Sequence, residues 1–90
     1  MKKSIATSLT SAQIRAARAL LRWSAEKLAQ ETALAVSTIR RAELEEGELS
    51  MTTANKLAIR RVLEAAGVIL IDENSEGVGA RLRKGQRRSR

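Results

Sequence analysis

The residues best suited to chemistry in this chain lie close together: Ser37, Thr38, Arg40 and Arg41, with Ser24 and Lys27 shortly before them. A hydroxyl both donates and accepts hydrogen bonds, and a guanidinium offers a planar fork of donors that keeps its charge. Such a set suits recognition of phosphate and of paired acceptors such as guanine O6 and N7. Bond-making chemistry has far less to work with. There is no cysteine, histidine or tyrosine, so a disulfide, a thiolate or imidazole zinc site and a Ser-His-Asp triad are all impossible. The carboxylates and lysines show no motif that gathers them around a substrate. The expectation is a binding protein and not an enzyme, with no cofactor, no metal and no small-molecule substrate.

Two short helices must position these side chains. Ser24 is a favourable N-cap, and Glu26 falls in the positive first turn that follows. Leu28 faces inward, and Ala29 beside it is small enough for a crossing helix to come close. The first of the two helices should end near Thr32 and Ala33, with Leu34 plugging the turn. The second begins about Ala35 and turns Ile39 and Ala42 inward, which sends Val36, Ser37, Arg40 and Arg41 outward. Two helices and a tight turn form the shape that lays one helix in the major groove of DNA.

The flanking elements follow from capping and periodicity. Residues 1–9 read as a loose leader. Thr10 and Gln13 fit a capping box, and the helix after it runs to about Arg22 with Ile14, Ala17, Leu20 and Leu21 as its apolar stripe. Trp23 closes this helix against the core. After the second short helix comes the acidic run ELEEGELS. Thr52 or Thr53 then caps a fourth helix, whose Leu57, Ile59, Val62, Leu63 and Ala66 form a broad apolar face and whose C′ residue is Gly67. VILI reads as a strand, DENSEG as a turn and GVGARLR as a return strand. The fold class is therefore mainly α, four helices followed by a short β-hairpin, organised as 1–9, 10–67, 68–83 and 84–90.

Ninety residues make one small domain that buries roughly 60–65% of its unfolded surface. A core of Leu, Ile, Val and Ala is thin, and a second subunit would add to it. A two-stranded hairpin is marginal alone. It must fold onto its own helices or pair with another copy, so residues 68–83 are the expected homodimer element. Net charge is +7, yet residues 81–90 alone hold Arg81, Arg83, Lys84, Arg87, Arg88 and Arg90 with no acid. A basic tail adds sequence-independent attraction to phosphate. Gln13, Arg15 and Arg18 interrupt the N-terminal apolar residues too early for a signal peptide, and no stretch approaches the roughly 20 apolar residues of a membrane span. A cytoplasmic protein that avoids membranes is expected.

Residues 24–43, SAEKLAQETALAVSTIRRAE, resemble the helix-turn-helix of the lambda-repressor and Cro (XRE-type) regulators. That pattern reads S-x-x-x-L-A-x-x-x-G-[VI]-S-x-x-T-I-x-x-x-E. It is matched without a gap at Ser24, Leu28, Ala29, Thr38, Ile39 and Glu43, with Leu34 as the turn hydrophobe. The wider resemblance spans roughly residues 10–84. It implies a sequence-specific, dimeric bacterial repressor, cytoplasmic and nucleoid-associated, that binds double-stranded DNA. Carried over by position, Val36, Ser37 and Arg41 would read bases. Ser24, Lys27, Thr38 and Arg40 would hold the backbone, and Arg81, Arg83, Lys84, Arg87 and Arg88 would add phosphate contacts. Arg40 and Arg41 could instead pair with Glu43, Glu45 or nearby acids. Three residues depart from the pattern: Ala25 where a phosphate-binding glutamine is frequent, Ala33 where glycine is usual, and Ala35 where a serine or threonine cap is usual. Related folds also serve as antitoxins or antiactivators, so a protein-binding module is the alternative. A single aromatic residue argues against single-stranded RNA recognition.

Overall fold

The computed structural model describes residues 8–47 and 49–85, which form four helices and one two-stranded antiparallel sheet. Each helix starts where the local chemistry dictates. For α1 (Ser11–Leu21) the capping box is complete: the Gln13 N–H donates to Thr10 Oγ1 at 3.2 Å, and the Thr10 N–H donates to Gln13 Oε1 at 3.0 Å. The helix stops because Arg22 turns left-handed at φ 60°, and the next N–H, that of Trp23, donates back to the Arg18 carbonyl at 2.9 Å. In α2 (Ala25–Thr32) the Ser24 hydroxyl accepts from the Lys27 N–H at 2.9 Å. Thr52 caps α4 (Thr53–Ala65) by accepting from the Asn55 N–H at 3.1 Å.

The helix between them is less well supported. Ala33 ends α2 in the left-handed region at φ 62°, where a Cβ crowds the following carbonyl and costs about 1–2 kcal/mol. Ala35 then takes the extended N-cap conformation of α3 (Val36–Ala42) without a side-chain hydrogen bond to the exposed N–H groups. Both departures from the sequence pattern therefore carry a physical consequence. What holds α3 is packing, with Ile39 and Ala42 at 0% and 2% exposure.

Gly67, at φ 109°, turns the chain from α4 into β1 (Val68–Ile71), which pairs with β2 (Gly79–Leu82). Val68 faces Leu82 and Leu70 faces Ala80 in the register. Alternation puts these four on one side, and that side packs on α1 and α4. The hairpin is thus a layer of the core it shares with Ile14, Ala17, Leu28, Ile59 and Leu63. One face of the hairpin folds onto its own helices, and the packing is continuous across residue 68.

A second boundary moves as well. Leu9, expected in the leader, is fully buried, and its carbonyl accepts from the Leu49 N–H at 3.1 Å. The remainder of the expected leader up to residue 7 lies outside the described residues. Among the described residues no helix is long and apolar enough to cross a membrane.

Two buried polar side chains tie the layers together. Gln13, 2% exposed, donates from Nε2 to the carbonyls of Ile71 at 2.9 Å and Gly79 at 3.1 Å, joining α1 to both strands. Arg60, 5% exposed, donates to the Ser8 carbonyl at 2.7 Å, to Asp72 Oδ1 at 3.1 Å and to Glu64 Oε2 at 3.2 Å. Groups this deep are tolerated because their hydrogen bonds are made. No buried side-chain nitrogen or oxygen among the described residues lacks a partner.

Candidate nucleic-acid interface

α2 and α3 pack against each other, and the short connection through Ala33, Leu34 and Ala35 sets their relation. Leu34 is half-buried and packs on the core, as its place in the turn requires. Its N–H donates to the Ala29 carbonyl at 3.1 Å. Inward burial of Ile39 and Ala42 on a helix of 3.6 residues per turn directs Ser37, Arg40 and Arg41 outward. All three are exposed. Val36 differs from that expectation: it is half-buried and packed on the core, because it starts the helix beside the turn. Only part of its side chain is open to a ligand. Thr38 is half-buried too, and with Arg41, Ala42, Glu45, Ser50 and Met51 it lines a shallow depression of about 110 Å³.

The two arginines of α3 are in different electrostatic states. Arg40 forms an ion pair with Glu26 of α2. Arg41 has no ion-pair partner among the described residues. Neither arginine takes Glu43 or Glu45, the acids nearest in sequence. Glu43 is bound from the other side, where Arg18 of α1 forks onto it with Nε–Oε2 at 2.7 Å and Nη2–Oε1 at 2.8 Å. The same guanidinium donates to the Trp23 carbonyl at 2.9 Å, and Arg15 donates to the Glu43 carbonyl at 2.6 Å. The end of α3 is thereby fastened to α1. The hydrogen bond to Glu43 holds the Arg18 pKa above its already high ordinary value, against partial burial and with help from the charges of Glu43 and Glu26. Glu45 is turned back onto its own loop, where its carboxylate accepts from the Ser50 N–H at 3.0 Å and its carbonyl from Ser11 Oγ at 2.6 Å.

Of the expected backbone-holding residues, Ser24 and Lys27 share the first turn of α2. The Ser24 hydroxyl accepts a capping bond and still has a proton to donate. Lys27 pairs with Glu31 at 3.0 Å and lies 5.6 Å from the centre of the Trp23 ring, which is itself half-buried against the core. Ser24, Lys27, Ser37, Thr38, Arg40 and Arg41 are therefore carried by one helix pair. The basic residues near the C-terminus are carried elsewhere. Arg81 stands within β2 opposite Ile69, and the Arg83 N–H is fixed to the Gly67 carbonyl at 2.8 Å, so both belong to the hairpin and not to a trailing tail. Lys84 is exposed. Arg87 and Arg88 lie outside the described residues.

Sequence reasoning did not reach Gln13 as a clamp on the hairpin, the Arg18–Glu43 fork, or the Glu26–Arg40 pair. Each joins residues from different elements, and no local pattern marks them. Arg60 carried one readable signal, its i,i+4 relation to Glu64. Among the described residues no group of three or more acids could hold a metal ion. Comparisons with family models, with curated proteins and with solved structures give no match for this chain.

Proposed function

We propose that this chain is a sequence-specific, double-stranded DNA-binding regulator of the lambda-repressor and Cro type, acting as a dimeric repressor. In this reading α2, the turn and α3 are a helix-turn-helix, and α3 enters the major groove. The observation that carries the reading is the state of α3. Its inner side is locked by Ile39, Ala42 and the Arg18–Glu43 fork, while Ser37 and Arg41 stand exposed on the outer side. A packed helix whose arginine has no ion-pair partner among the described residues, beside a hydroxyl, is suited to fork onto guanine and to contact the neighbouring base. Val36 adds at most an apolar edge. Ser24 and Thr38 contact phosphates on either side, while Lys27 and Arg40 reach them only by giving up Glu31 and Glu26.

One such unit reads few base pairs, so two copies related by a two-fold axis would place α3 in half-sites roughly 34 Å apart. The hairpin face away from the core, with Ile69 and Ile71, serves as the contact between copies, and Arg81, Arg83 and Lys84 add phosphate attraction. A cytoplasmic location follows from the function.

Selection of duplexes from a random-sequence pool, followed by binding titrations, tests this. A recovered motif should lose about 10- to 100-fold in affinity on Arg41→Ala, the size of one bidentate base contact. Removal of residues 84–90 should weaken all duplexes alike. If the truncation abolishes binding and Arg41→Ala changes nothing, specific readout is wrong.

A second reading, a module that binds another protein as an antitoxin or antiactivator does, is favoured by Leu44. It is 83% exposed in the acidic loop after α3. Co-purification at fixed stoichiometry that is lost on Leu44→Ser would favour it.

A further inference from the structure

The DNA face carries acids as well as bases, and their placement is specific. Glu26 lies in the first turn of α2 and pairs with Arg40 of α3 across the helix pair, with side chains 64% and 57% exposed. Lys27 pairs with Glu31 along α2. Of the three cations on α2 and α3, Lys27 and Arg40 are thus matched one to one by carboxylates, and Arg41 has no carboxylate partner among the described residues. A cation already matched has little to gain from phosphate. Moving Arg40 onto a phosphate leaves Glu26 unpaired beside the same negative backbone. A solvent-exposed pair is weak enough to be exchanged, so the exchange is possible but yields little net attraction.

We propose that Glu26 acts as an electrostatic brake on the DNA face, holding Arg40 so that sequence-independent phosphate binding is restrained there. The inference rests on the DNA-binding reading above and deepens it. Arg41 then dominates recognition by α3, and the basic run at positions 81–90, which contains no acid, becomes the main source of non-specific attraction. Glu26 is a positioning residue, acting through Arg40 and not on the bases.

The test is a salt titration of binding to a random 20-base-pair duplex by wild type, Glu26→Gln, Arg40→Ala and the double variant. Thermal unfolding of each confirms that it is folded. With the brake removed, Arg40 makes one further phosphate contact. Binding by Glu26→Gln should tighten about fivefold to tenfold at 0.1 M salt, and the slope of log K against log salt should steepen by about 0.9. In the Arg40→Ala background the same substitution should bring only a smaller gain, from relief of repulsion, with no steepening of the slope. An unchanged slope in Glu26→Gln overturns the proposal. So does a gain that persists in full without Arg40, which would be a simple effect of net charge. Wild-type protein that binds neither this duplex nor any selected one overturns the DNA-binding reading itself, whereas the other two outcomes leave that reading standing.

Discussion

The layer formed by α1, α4 and the hairpin treats polar side chains differently from the α2–α3 pair. Gln13 and Arg60 are nearly inaccessible, and each makes several hydrogen bonds to groups distant in sequence. On α2 and α3 the charged groups are exposed, singly paired or without a described partner. Removing a partner from a buried network strands a desolvated group, and removing one from an exposed pair returns it to water. The first region uses polarity to fix the fold. The second leaves its polarity open at the surface. The Arg18–Glu43 fork lies at the junction and transfers the rigidity of α1 to the end of α3.

The contrast can be broken by substitution. Gln13→Ala removes the side-chain half of the capping box and leaves the Ile71 and Gly79 carbonyls without their Nε2 partner, a loss of roughly 3 kcal/mol. Thermal unfolding should fall by about 15 °C for a domain of this size. A drop under 5 °C would mean that the hairpin does not depend on α1. Ala33→Gly relieves the left-handed strain between α2 and α3 and should stabilise by about 1 kcal/mol. Denaturant midpoints measure this directly, and destabilisation would refute the strained turn. Ala35→Ser supplies the absent cap of α3, with a gain of about 0.5–1 kcal/mol and slower amide exchange at the start of the helix. Arg41→Ala should leave the unfolding midpoint within about 0.5 kcal/mol of wild type, as exposed residues do, even while the DNA binding proposed above falls. A large stability loss there would place Arg41 in the scaffold and erase the distinction between the two regions.

Much of the architecture was legible because it depends on short-range chemistry. Thr10, Ser24 and Thr52 cap helices where their hydroxyls meet free N–H groups, and the four-residue run VILI forms a strand. The candidate site was legible to the extent that helical period decides which side chains point out, and so Ser37, Arg40 and Arg41 were found. Val36, expected outward, lies three residues before buried Ile39, so it borders the inward side of the helix and packs on the core. Leu9 is buried, and no local signal separates a buried leucine before a helix from one in a loose leader.

Composition, capping and periodicity by themselves determined the four helices, the hairpin, the outward arginines and the exclusion of thiol and imidazole chemistry. Only the tertiary structure decided which charges those arginines meet. Arg40 and Glu43 are three residues apart, yet Arg40 turns to Glu26 and Glu43 to Arg18. An ion pair depends on distances between side-chain ends a few ångströms wide, and those distances are set by how whole helices pack. Nothing within a single helix specifies them.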